Sequence, residues 1–133
     1  MTKKTGLLII DHGSRRPDAN RVIRQVAKMV REKSYFLIVQ HAHMELAEPT
    51  IQQGFELCVA ARVDTIVVQP YFLGPGRHST IDIPRIVGEV AQKHPQVTIR
   101  LSDPLGPHPK MAELILERIK KAGSLCQSTD AES

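Results

Sequence analysis

Residues 6–33 read GLLIIDHGSRRPDANRVIRQVAKMVREK. The run 6–10 is apolar without a polar break, the pattern of a strand buried on both faces. His12 and Gly13 follow it directly. Over 18–33 the apolar residues Val22, Ile23, Val26, Met29 and Val30 then recur at helical spacing opposite a charged face. Asp18 is placed to cap this helix, with Pro17 just outside it. A buried strand feeding a helix through a short loop is the opening unit of a parallel α/β sheet.

The unit recurs along the chain. Apolar runs at 36–40, 65–69 and 97–101 read as strands, short and rich in Ile, Val and Leu, without clean alternation. Helices are predicted from Pro49, a first-turn proline, to 62, and from Ile83-Pro84 to 93. A last helix runs from Pro109 through Met111, Leu114, Ile115 and Ile119 to Gly123, a stop. Right-handed crossovers then predict an α/β fold: a small doubly wound parallel sheet of four strands, order 2-1-3-4, flanked by helices on both faces. Residues 1–123 form one domain, and the polar tail 124–133 is expected to be disordered.

Composition narrows the function. The chain has 133 residues, a net charge of +4, no tryptophan and few aromatics, which argues against a nucleic-acid surface built on stacked bases. No apolar run approaches the roughly 18 residues of a membrane helix. The segment before the first strand is too short for a cleavable leader, so a cytoplasmic location is expected. Cys58 shares an apolar helix face with Ile51 and Phe55 and reads as core packing, while Cys126 lies in the tail, where it could link subunits or hold a cluster. Most basic residues fall on solvated helix faces. Arg15, Arg16 and Arg77 instead flank strand-end histidines, a rim suited to an anionic ligand.

Of the six histidines, five follow strands: His12, His41 and His43, His78, and His108. In a parallel sheet these loops share one edge, where open α/β folds bind ligands. His12 sits on a rigid strand end, and Gly13 keeps the backbone small beside it. Tyr71-Phe72-Leu73 would floor a pocket below the loop Gly74-Pro75-Gly76, with Arg77 and His78 at its tip. Glu48 either caps the helix at Pro49 or lends a carboxylate to the histidine edge. His41 and His43 are either a weak metal pair or one core and one surface ring. Asp103 and His108 read mainly as turn and cap residues, and His94, before Pro95, as a partner of a helix C-terminus.

Taken together, His12-Gly13-Ser14-Arg15, the segment Met44 to Ile51, Pro70-Tyr71-Phe72-Leu73, Gly76-Arg77-His78, Asp82-Ile83-Pro84 and Pro104-Leu105-Gly106 resemble the small sirohydrochlorin chelatases of the CbiX/SirB type, class II tetrapyrrole chelatases. The resemblance runs from about residue 7 to 121. It implies a single chelatase-like lobe that inserts a divalent metal into sirohydrochlorin, a polycarboxylate macrocycle. It implies His12 as metal ligand and proton acceptor, His78 as second ligand, and Glu48 as a catalytic and substrate contact. The loop Leu73, Gly74, Pro75, Gly76, Arg77 and His78 would line the macrocycle with Ser14 and Arg15, and His43 and Glu45 would stand behind the ligands. Short members pair as homodimers. Pro75 occupies a region where archaeal members often carry another histidine, so the loop looks more like the iron-inserting plant and cyanobacterial branch, although the cysteine-rich tail of plant members is missing. Iron, giving siroheme, is favoured over cobalt for cobalamin synthesis; nickel also stays open.

The residues carry this chemistry without the family. Inserting M²⁺ removes two N–H protons and needs a base near the ring. Two imidazoles hold an ion without a closed shell, as delivery requires. Arg15, Arg16 and Arg77 would pair with the carboxylates of such a substrate. No Walker-type loop is present, so ATP use is not expected, nor any cofactor beyond the substrate metal. Two rivals stand: a non-catalytic metal or tetrapyrrole carrier using the same pocket, and a histidine phosphatase, which Asp11 disfavours by replacing the arginine expected before His12.

Overall fold

The computed structural model describes residues 4–125. Its sheet has four parallel strands in the order β2-β1-β3-β4, as expected. These are β1 (Thr5–Asp11), β2 (Ile38–His43), β3 (Thr65–Pro70) and β4 (Thr98–Leu101). The helices are α1 (Pro17–Lys33), α2 (Ile51–Ala60), α3 (Ile83–Ala91) and α4 (Pro109–Lys120), and a π-helical turn, His78–Asp82, runs straight into α3.

Register explains why the strands lack alternation. Leu8 of β1 aligns with Gln40 and Val68, and Leu7 aligns with Val39 and Val67, so one face carries Leu8, Ile10, Ala42, Ile66 and Val68 and the other Leu7, Ile9, Val39 and Val67. The first face packs under Ile51, Phe55 and Cys58 of α2 and Ile83, Val87 and Val90 of α3. The second packs under Ile23 and Ala27 of α1. Full burial of a side chain such as Phe55 or Ile83 contributes about 1.5–3 kcal/mol. Burial pushes the Cys58 thiol up to about 12, in keeping with a packing role.

Several boundaries differ from the sequence reading. β2 extends to His43 because β1 runs on to Asp11, and pairing continues through Ile9–His41 and Asp11–His43. His41 and His43 therefore lie in a strand rather than past its end. α1 starts at Pro17, so Asp18 lies in its first turn, held by Arg16 at 2.9 Å, instead of capping it. In α2 the cap is Thr50, whose side chain accepts from the Gln53 N–H while the Gln53 side chain accepts from the Thr50 N–H. Pro49 thus precedes the helix and Glu48 does not cap it. His94 packs its ring 5.6 Å from Phe55, and its buried Nε2 finds no hydrogen-bond partner among the described residues. α4 ends at a Lys121 cap, before Gly123.

The largest departure is α4. It buries none of its residues, and Leu114, Ile115, Leu116 and Ile119 are all exposed. The β3–β4 half of the α1 face has no helix over it, leaving Thr98 and Arg100 open. Residues 126–133, with Cys126 and most of the expected tail, lie outside the described residues.

Candidate active site

The carboxyl edge of β1 and β3 brings His12 and His78 together. Their ring centroids are 4.8 Å apart with planes tilted by 57°. His12 follows β1 directly, and Gly13 beside it takes φ +95°, which disfavours any L side chain there. A Cβ on Gly13 would lie 1.9 Å from the Glu45 carbonyl oxygen, so only glycine lets the loop after β2 close over the strand end. That loop is held by the Met44 N–H donating to the Asp11 carbonyl (2.8 Å) and the Glu45 N–H to the His12 carbonyl (3.0 Å).

Each ring of the pair has a carboxylate. Glu45 Oε2 lies 2.9 Å from His12 Nε2, while His12 Nδ1 faces the Gly13 carbonyl at 3.1 Å. Asp82 Oδ2 lies 2.9 Å from His78 Nδ1. A proton on His78 Nδ1 given to Asp82 leaves the Nε2 lone pair for an ion, the usual way a ligating imidazole is oriented. Both imidazoles are part-exposed and the carboxylates sit at their sides, an open arrangement without a closed cage. Among the described residues no three His, Cys, Asp or Glu side chains converge as a ready-made metal site.

Behind the pair lies a buried dyad. His43 Nδ1 is 2.6 Å from Asp11 Oδ1, and the His43 side chain is 2% exposed. His41 stands 5.7 Å from His43, edge to face. Partial burial, then the charges of His43, Arg24 and Arg31, hold the His41 imidazole below its ordinary value, against a smaller opposing pull from Asp11. Neither histidine contacts His12 or His78 through any hydrogen bond or ring contact among the described residues. Glu48 is likewise apart from the pair. It accepts from Gln53 Nε2 at 3.3 Å and lines a cavity of about 280 Å³ with His41, His43, Asn20, Arg21 and Arg24.

The glycine loop is built from below. Buried Ser79 bonds to the N–H of Gly76 (3.1 Å), and Thr80 Oγ1 donates to the Gly76 carbonyl at 2.6 Å. Gly106 packs so closely that a Cβ would come 2.6 Å from the Leu73 carbonyl, and the Leu105 N–H donates to Phe72 (2.9 Å). Pro104-Leu105-Gly106 therefore buttresses the loop. Tyr71, Phe72 and Leu73 do not form one floor: Tyr71 packs on the α1 side, Phe72 on the α2–α3 side 6.4 Å from His78, and Leu73 is exposed. Consecutive residues leaving a strand alternate faces, which splits the trio. His78 stands in the first turn of the π segment instead of at a loop tip. Arg15 and Arg77 are exposed and make no ion pair among the described residues, whereas Arg16 is taken by Asp18. Ser14 is tied to Asn20, whose Oδ1 accepts from the Ser14 N–H (2.9 Å) and whose Nδ2 donates back to the Ser14 carbonyl (2.7 Å). His108 caps α4 by accepting from the Lys110 N–H at 3.0 Å. Asp82 and Ser79 carry no role in the sequence reading; the His78-to-Asp82 spacing of four, on a helix preceding Pro84, was the signal available.

A four-stranded parallel lobe with a histidine pair at its open carboxyl edge puts the chain in a class of small parallel α/β proteins with an exposed two-imidazole site. Within it, this chain belongs to the CbiX family, whose model matches residues 6–122. It is 42% identical over 115 residues to a chloroplastic sirohydrochlorin ferrochelatase of Arabidopsis thaliana, covering 86% of this chain and 51% of that one. It is 33% identical to a sirohydrochlorin cobaltochelatase of Methanopyrus kandleri, covering 87% of this chain and 95% of that protein. Among solved structures it resembles the sirohydrochlorin chelatase SirB of Bacillus subtilis in complex with cobalt, with TM-score 0.84 and 28% identity over 89% of this chain and 50% of that one. The chain thus spans about half the length of the Arabidopsis and Bacillus relatives and nearly all of the Methanopyrus one. No described helix is long and apolar enough to cross a membrane.

Proposed function

We propose that this chain is a metal chelatase, a lyase acting without ATP that inserts a divalent ion into sirohydrochlorin in the cytoplasm. The observation carrying the reading is the His12–His78 pair at 4.8 Å, each ring backed by a carboxylate, on a CbiX-family lobe. His78, oriented by Asp82, holds the incoming ion and leaves positions open for ring nitrogens. One nitrogen of His12 cannot bind the ion and take a proton at the same moment. Glu45, 2.9 Å from His12 Nε2, supplies the second acceptor, so the two protons displaced from the ring leave through this dyad. Arg15 and Arg77 pair with substrate carboxylates, and Ser14 and the 73–78 loop line the macrocycle. Glu48, beside Arg21 and Arg24, acts on the macrocycle's periphery rather than on the ion.

The ion is substrate, with iron favoured on the loop form and on likeness to the ferrochelatase, and cobalt the alternative. The site lies on an open surface with one wall. This chain spans about half the length of SirB, and two copies would make up that length, so a homodimer is expected. The test is anaerobic absorbance of sirohydrochlorin with Fe²⁺ or Co²⁺ at substoichiometric protein. Insertion no faster than the uncatalysed rate would make the chain a carrier; competition between the two ions reads the preference.

A further inference from the structure

The cavity of about 280 Å³ between the first turns of α1 and the end of β2 holds groups that the His12–His78 pair does not use. Val39, His41 and His43 alternate along β2 toward α1, and Asp11, aligned with His43, points the same way from β1. His12, one residue further on, turns to the opposite face, toward Phe72 and His78. The end of β1 therefore stands between the two places.

His43 is almost wholly buried, and Asp11 takes its Nδ1 at 2.6 Å. With the proton on that nitrogen directed to Asp11, Nε2 is an acceptor without a partner among the described residues, and the small part of His43 that reaches solvent lines the cavity. Arg21 and Arg24, three residues apart on α1, form the facing wall and make no ion pair among the described residues. Their field reaches His41 on the same wall: partial burial first, then the charges of His43 and Arg24, hold its imidazole below the ordinary value. Asn20 is engaged by Ser14, and Glu48, the acidic residue on the rim, accepts from Gln53 of α2.

These groups select a ligand. Two guanidinium groups oppose a cation, and no three metal-ligating side chains converge among the described residues. Arginine forks bind anionic oxygens, whereas the His43 acceptor calls for a hydroxyl. A carboxylate or sulfate offers only the anionic oxygens. Hydrogen phosphate offers both.

We propose that this cavity is a second binding site, taking phosphate that carries a hydroxyl, free or in a small monoester, with Arg21 and Arg24 on its anionic oxygens and His43 Nε2 on its hydroxyl. The inference goes beyond the chelatase reading and does not depend on it.

Long-range proton–nitrogen spectra of the histidine rings, recorded at neutral pH as inorganic phosphate is added, follow His43 directly. Sulfate and acetate at the same ionic strength are the controls. The expected result is a saturable shift of His43 Nε2 with phosphate, and binding weaker by about tenfold or more for both controls. Arg21→Gln and Arg24→Gln should each weaken phosphate by about tenfold with unchanged circular dichroism, and His78→Ala should leave its affinity unchanged. Glycerol phosphate names the source: tighter binding than phosphate identifies a monoester, weaker binding the free ion, and both uphold the site. A shift that does not saturate, that sulfate reproduces equally, or that survives both arginine variants overturns the proposal. So does a shift lost in His78→Ala, which would put the anion at the histidine pair.

Discussion

The Asp82 carboxylate holds His78 Nδ1 at 2.9 Å, four residues further along the same helical segment. Residues four apart on a helix face each other, so the backbone itself presents this carboxylate to this imidazole. Asp82 also stands 3.9 Å from Arg85, which holds it from the far side. His12 has no such helix. Its partner Glu45 comes from another strand's loop, brought in by the Gly13 close approach.

Asp82→Asn should weaken Co²⁺ binding and slow insertion by about 10- to 100-fold, because the amide no longer enforces the Nδ1–H tautomer. The melting temperature should move little, since the amide is nearly the same shape as the carboxylate and keeps an oxygen to accept from His78. Titration with Co²⁺ and the insertion rate, measured side by side, check this. Unaltered binding would show that His78 orients itself.

His12→Ala and His78→Ala should each abolish insertion while leaving circular dichroism unchanged, both rings being part-exposed. Glu45→Gln should retain ion binding and lose rate by about 10² or more, as expected for loss of a proton acceptor. Anaerobic absorbance of sirohydrochlorin separates these outcomes. Rates like the unmodified protein's in both histidine variants would remove the assignment.

Two glycines make a paired stability test. Gly13→Ala places a Cβ on the Glu45 carbonyl at a positive φ and should cost more than about 2 kcal/mol, with activity lost alongside. Gly88→Ala, inside α3 with nothing within 4 Å of the added carbon, should stabilise by about 0.5–1 kcal/mol. Urea unfolding of both variants reads the contrast. A destabilised Gly88→Ala would mean that α3 needs flexibility there.

These residues also show what a sequence can hold. The four strands were legible because each centres on a short stretch rich in Ile, Val and Leu, their order because crossovers are right-handed, and His12 and His78 because each lies past a strand end. Glu45 and Glu48 could not be told apart by spacing: both precede the same helix, and only the strand-end hydrogen bonds of Met44 and Glu45 bring one of them to His12. His43 was ambiguous for a similar reason. Its burial depends on β2 running as far as β1 does, a pairing that no local pattern encodes. α4 reads as a core helix from its stripe, yet none of its residues is buried, because the stripe finds no sheet face among the described residues.

His41 offers a prediction about pH. Its folded imidazole titrates below the unfolded value of 6.5, first because it is partly desolvated and then because His43, Arg24 and Arg31 oppose its charge. Between the folded and unfolded values the unfolded chain binds the proton more readily, so stability falls as pH drops from 6.5 through the folded value and is untouched well above it. His41→Gln keeps a polar side chain at the site but removes that proton. The urea midpoints of variant and unmodified protein should therefore differ by a constant at about pH 8, and the variant should lose less on going to about pH 5. Equal losses in the two proteins would mean that the Arg24–Arg31 side of α1 relaxes away from the imidazole once it is charged.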